Sequence, residues 1–216
     1  MKTAIILGAT GLTGTELLKQ LLNDDQYQKI ILFSRKSTNI NHCKLTEYIT
    51  DFDQLHKIKH LIIGDIVFCC LGTTIKAAGS KTAFRKVDFN YISDFALLAK
   101  QNGFNQFYLQ SSLGADSKSN NFYLKIKGET ENTIKKLNFE SFAIFRPSML
   151  LGNRIEFRFG ETLGKLAMRF FSFLFVGRLK LYKAIDAKQV AKAMIYESKL
   201  NKVGYFVFEN DKLLEY

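Results

Sequence analysis

Residues 3–14, Thr3-Ala4-Ile5-Ile6-Leu7-Gly8-Ala9-Thr10-Gly11-Leu12-Thr13-Gly14, decide how the rest of the chain is read. Thr3–Leu7 is short and almost wholly apolar, as a strand buried on both faces is. Three glycines follow at once. Leu12–Leu22 then sets Leu17, Leu18, Leu21 and Leu22 on one helical stripe. A bound diphosphate needs a tight turn, close approach of the backbone, and free amide hydrogens at the start of a helix. A glycine turn alone is equally well a structural turn; its place directly between strand and helix points to dinucleotide binding. The candidate contacts are Gly8, Thr10, Gly11, Leu12, Thr13 and Gly14.

Outward from this unit, short apolar runs alternate with longer amphipathic ones. Strands are predicted at Lys29–Phe33, more weakly near Lys44–Ile49, at Asp65–Cys70, Gln106–Leu109 and Ser141–Phe145. Helices are predicted over about Thr82–Gln101 and Phe122–Leu137. Such alternation makes parallel β-α-β units. The expected fold is therefore α/β, a doubly wound and mostly parallel sheet of the Rossmann type, in one domain over residues 1–216. Farther on, Glu161–Val176 reads as an apolar helix, Asp186 as the N-cap of a helix over AKQVAKAMIYES, and Val203–Phe208 as a last strand. Residues 152–216 are expected to supply a small C-terminal cap on the substrate side, with plain core as the alternative use of the Phe-rich segment.

Composition narrows the function classes. An apolar fraction of 47% excludes disorder. The net charge of +11 is spread along the chain rather than gathered into a run, which favours a phosphorylated ligand over a nucleic-acid partner. Cys43, Cys69 and Cys70 make an odd count and read as reduced thiols. The first apolar run is too short for a signal peptide, and nothing approaches the roughly 18 apolar residues of a membrane span. These cues predict a soluble, cytoplasmic protein. Residues 166–183 combine aromatics with Arg169, Arg178, Lys180 and Lys183, a pattern that also suits an anionic membrane surface; packing over the crevice is the expected use. His56 and His60 are spaced i, i+4 but enclose no Glu, so no metal site is expected. No Gly-x-Ser-x-Gly elbow exists, which sets a hydrolase aside.

The cofactor is read from the end of the second strand. Dinucleotide sites selective for NAD place a carboxylate there for the ribose hydroxyls. Ser34-Arg35-Lys36 offers two cations instead, which suit the 2′-phosphate of NADP. A second constellation lies later: Ser111-Ser112 just past the fifth strand, then Tyr123-x-x-x-Lys127 on one helix face. An ammonium beside a phenol favours the phenolate and so eases proton transfer, while a serine at the strand end can hold a carbonyl oxygen.

These residues, with TDF (50–52), CCLGTT (69–74), KVDFNY (86–91), SSLGAD (111–116), YLKIKGETE (123–131) and FRPSMLLGNRIEFRFGE (145–161), resemble the atypical short-chain dehydrogenase/reductases, and most closely the Tat-interacting-protein-like oxidoreductases. The resemblance implies Tyr123 as general acid/base, Lys127 as the residue on the nicotinamide ribose, and Ser112 (or Ser111) as the group polarising the carbonyl. It further implies Asp51 and Phe52 beside the adenine, and Leu71, Gly72, Leu150 and Arg158 along the cofactor. Two departures stand out. CLGTT replaces the Asn-Asn-Ala-Gly turn of standard members, and Ser112 lies closer to Tyr123 than the usual spacing. The function implied is an NADPH-dependent reductase of a small carbonyl compound. A cofactor-sensing regulator with little turnover and a nucleotide-sugar epimerase are the other two readings; the short C-terminal region disfavours the last. Substrate identity and oligomeric state are not legible.

Overall fold

The computed structural model describes residues 1–152 and 177–216. Seven parallel strands form one sheet: β1 (Lys2–Leu7), β2 (Tyr27–Ser34), β3 (Leu45–Ile49), β4 (Ile66–Cys69), β5 (Gln106–Gln110), β6 (Ser141–Arg146) and β9 (Gly204–Glu209). Their spatial order is β3-β2-β1-β4-β5-β6-β9. Between them run α1 (Leu12–Leu22), α2 (Ile75–Ala78), α3 (Lys81–Arg85), α4 (Tyr91–Gln101), α5 (Phe122–Lys135) and α6 (Ala187–Lys199), and α7 (Asn210–Leu213) follows β9. Two-residue strands β7 (Leu150–Leu151) and β8 (Ile185–Asp186) pair separately.

Alternation along β1 explains the layering. Ala4 and Ile6 join the core with Leu17, Leu18 and Leu21 of α1 and Val190, Ala191 and Met194 of α6. Ile5 and Leu7 point the other way, to Ile92, Phe95 and Ala99 of α4. Both faces are thus covered, as a parallel sheet requires. The strand order reverses between β1 and β4, and in open sheets of this kind ligands bind outside the carboxyl ends of the strands at that point. Leu7 is paired with both Phe33 and Cys69, so Gly8, Ser34 and Cys70 follow at one level.

Two features differ from the sequence expectation. The helix expected over Thr82–Gln101 is divided: α3 and α4 are joined by a π-helical turn, Lys86–Asn90. The apolar spacing runs through this turn without a break, which is why periodicity alone misses it. His56 and His60 sit on the exposed side of a kinked 3₁₀ segment, Phe52–Leu61, rather than an α-helix. As expected, the last strand, β9, lies parallel to β6, and α6, capped by Asp186, packs on α1. The expected helix over Glu161–Val176 lies outside the described residues.

Candidate functional site

Gly8 makes the first turn possible. Its φ is +80°, and a Cβ there would lie 2.6 Å from the carbonyl oxygen of Cys70. The chain then returns through a Gly11 amide to Gly8 carbonyl bond of 3.0 Å and enters α1. Gly11 caps that helix in extended backbone without a side-chain cap, and Thr15 is the first residue whose amide meets a carbonyl four back, that of Gly11. The amides at positions 12–14 open the helix, where the backbone has no such acceptor to offer. Together with the helix dipole they favour an anion.

A cleft of about 360 Å³ lies over this turn. Gly11, Leu12, Thr13, Leu71, Gly72, Ser112, Tyr123, Lys127 and Leu150 all line it, so most of the residues singled out in the sequence meet in one place. Gly8 and Gly14 shape the turn from behind, and Thr10 is exposed beside it. Ser111 and Gln110 also line the cleft. The Thr13 Oγ1, Ser111 Oγ and Gln110 Oε1 atoms are buried there with no partner among the described residues. Buried polar groups are rarely left unpaired, so this row of orphans fits a polar ligand such as a dinucleotide.

The remaining expected contacts lie along the sheet edge, outside the walls of this cleft. Arg35 and Lys36 are exposed just beyond β2. Glu47 holds their loop, accepting from Ser37 Oγ at 2.7 Å and from the Thr38 amide at 2.9 Å. The Thr50 amide donates to the Ser34 carbonyl at 2.8 Å, which brings Asp51 and Phe52 alongside. Phe52 is buried, with its ring 5.4 Å from that of Tyr91. The Asp51 carboxylate is already engaged, accepting from the Asp53 amide at 2.9 Å. Arg158 falls outside the described residues.

Tyr123 and Lys127 project from one face of α5, whose start is capped by Asn121. The Lys127 ammonium lies 5.9 Å from the Tyr123 ring centre, and that ring packs 5.6 Å from Phe84. Two hydroxyls face them from the end of β5. Ser112 is half-buried and makes one long bond, 3.5 Å, to the Leu113 carbonyl; the buried Ser111 hydroxyl makes none among the described residues.

Asp88 is the residue that sequence reading missed. Its carboxylate, fully buried, pairs with Lys127 at 2.8 Å. Burial draws the Lys127 pKa down most strongly, but the Asp88 carboxylate, with smaller help from Tyr123 and Cys69, holds the ammonium above its ordinary range. Asp88 also accepts from the Thr73 amide at 2.8 Å, so it organises the CLGTT turn, where the usual asparagine is missing. The signal was present: Asp88 stands four residues from Phe84 and four from Ile92, both fully buried, on the apolar stripe rather than the solvated one.

Comparison with known proteins shows the family and the fold. The family model described as "NAD(P)H-binding" matches residues 8–165. The chain is 39% identical to Protein HTATIP2 of Rattus norvegicus over 168 residues, 76% of this chain and 69% of that one. It is 36% identical to the mitochondrial Protein FMP52 of Meyerozyma guilliermondii, over 89% of this chain and 84% of that one. In fold it is similar to the UDP-N-acetylglucosamine 4-epimerase of Methanobrevibacter ruminantium M1, with a TM-score of 0.73 at 15% identity, covering 96% of this chain and 76% of that one. The fungal relative corrects one expectation. FMP52 is mitochondrial by name, so a cytoplasmic placement does not follow from this sequence. The cysteine count that suggested the cytoplasm does not tell one reducing compartment from another, which is why composition misplaced the chain.

Proposed function

The chain belongs to the NAD(P)H-binding family, in the atypical short-chain dehydrogenase/reductase group with HTATIP2 and FMP52, and from that premise we propose that it is an NADPH-dependent reductase of a small carbonyl compound. The observation that carries this reading is the convergence of Tyr123, Lys127 and the Ser111–Ser112 hydroxyls on the cleft opened by the glycine turn. When bound, the cofactor supplies a hydride, and this chain supplies the proton. Tyr123 donates that proton to the carbonyl oxygen. A serine hydroxyl from the end of β5, Ser112 or its buried neighbour Ser111, donates a hydrogen bond to the same oxygen and keeps the carbonyl polarised. Lys127 binds the ribose hydroxyls and holds its cation beside the phenol. The amides at the start of α1 bind the diphosphate, and Leu71, Gly72 and Leu150 border the cofactor. Arg35 and Lys36 bind the 2′-phosphate; exposed beside β2, with no partner among the described residues, they support NADP over NAD.

The test is oxidation of NADPH against a panel of aldehydes, ketones and quinones, with Tyr123→Phe as control. The variant keeps the ring against Phe84 and loses only the donor, so turnover should fall at least about a hundredfold, the low end of general-acid effects. NADPH affinity should stay within a few-fold. Equal rates would remove Tyr123 as the acid. Tight NADPH binding with no turnover on any compound would move the reading to a cofactor sensor.

A further inference from the structure

Lys127 lines the cleft, and Asp88 stands directly behind it rather than in the remote core. Five observations meet on the pair. The two charges are 2.8 Å apart with side-chain exposures of 0% and 8%. The second carboxylate oxygen accepts from the Thr73 amide, in the loop that carries Leu71 and Gly72. The Asp88 carbonyl accepts from Thr130 Oγ1 of α5 at 2.8 Å. Gly72 leaves room for the pair, since a Cβ there would stand 3.0 Å from Asp88 Oδ1 and 3.3 Å from Lys127 Nζ. Asp88 itself sits in the π-helical turn, a local irregularity of the kind found often at functional sites.

We propose that Asp88 is a positioning residue: it ties Lys127 to the loop after β4 and cancels its charge, so that Tyr123 faces a lysine held in place but electrically matched. This rests on the reductase reading for its use, though not for its test. A general acid must still carry its proton when the substrate arrives, and an ammonium balanced by a carboxylate favours a nearby phenolate less than a bare one. The groups facing Lys127 are Asp88 from the π turn, Tyr123 from α5 itself and Cys69 from β4. Burial pushes the Cys69 thiol up to about 12, so at neutral pH it adds no charge and Asp88 is the counter-ion that matters.

The experiment needs no substrate. Protein carrying ¹³C at the tyrosine ring carbon bearing the hydroxyl is titrated by NMR, with the Tyr123 resonance identified by its loss in Tyr123→Phe. Asp88→Asn keeps an acceptor for the Thr73 amide and removes only the charge. Its Tyr123 midpoint should fall by about one pH unit, the order expected when one nearby charge is removed at a partly screened site. Asp88→Asn with Lys127→Met restores neutrality and should return the midpoint to the native value. Lys127→Met alone leaves the carboxylate and should raise it, which decides the matter if Asp88→Asn does not fold. A midpoint unmoved in Asp88→Asn, a fall that persists in the double variant, or a fall in Lys127→Met would each overturn the proposal. Lack of turnover on every compound, with the midpoints moving as stated, would count against the reductase and leave the role of Asp88 standing. If a substrate is found, the high-pH loss of reduction should move to lower pH in Asp88→Asn.

Discussion

The expected dinucleotide site has cations at both ends, and the two ends are built on opposite principles. Lys127 is buried, fixed by Asp88 and threaded into the packing of α5 against the π turn. Arg35 and Lys36 stand in solvent on a loop held from behind by Glu47. A buried charge answers to what is removed beside it and to pH; an exposed one answers to salt. The contrast separates a group that the fold must balance from groups left over for a ligand.

The largest effect should come from breaking the buried end. Asp88→Ala strands the Lys127 ammonium, and removing one partner of a buried pair costs about 3–5 kcal/mol. Denaturant unfolding should show this loss, and the variant with both Asp88→Asn and Lys127→Met should recover much of it. A loss below about 1 kcal/mol would mean the pair is far wetter than its burial implies.

At the exposed end the expected effect is on binding alone. Arg35→Ala with Lys36→Ala should weaken NADPH on the order of tenfold to a hundredfold, from lost charge-assisted bonds discounted for exposure, and should leave NADH nearly unchanged. In 1 M salt the preference for NADPH should shrink, since the screening length falls to about 3 Å. Equal affinity of the unmodified protein for the two cofactors would remove these residues from cofactor choice.

The smallest effect concerns the buried thiol behind the glycine turn. Cys69 keeps its proton in the folded chain up to about pH 12, whereas the unfolded chain loses it near 9.0. The folded state thus binds the proton more tightly, and stability should decline as pH rises past 9. The slope from this one group approaches about 1.4 kcal/mol per pH unit. Cys69→Ala should flatten the decline by that amount. A curve unchanged by the substitution would show that other alkaline groups, such as the buried Tyr27, dominate it.

Local pattern made the phosphate end legible. A helix that starts at a glycine turn and carries four leucines on one face could be bounded at Leu12–Leu22, and it is. Strands β1, β4 and β6 were found with small errors at their ends because each is a mostly apolar run covered on both faces. The other end resisted reading because its chemistry is relational. An aspartate on an apolar stripe is unremarkable until α5, the loop after β4 and Gly72 are seen to close around it. The choice between Ser111 and Ser112 likewise turns on which hydroxyl has an unspent bond, and spacing carries no trace of that.

The π-helical turn has a consequence for how this chain can vary in length. Such a turn holds one more residue than an α-helical one, and each residue added to a helix rotates everything beyond it by about 100°. The π turn absorbs its extra residue, so deleting a single position between Lys86 and Asn90 would leave a regular helix in which Phe84 and Ile92 stand one heptad apart, about two full turns, and keep a common side. What such a deletion removes is the bulge that holds Asp88 against Lys127 and the Thr73 amide. The core accepts either count of residues; the wall of the cleft accepts only one.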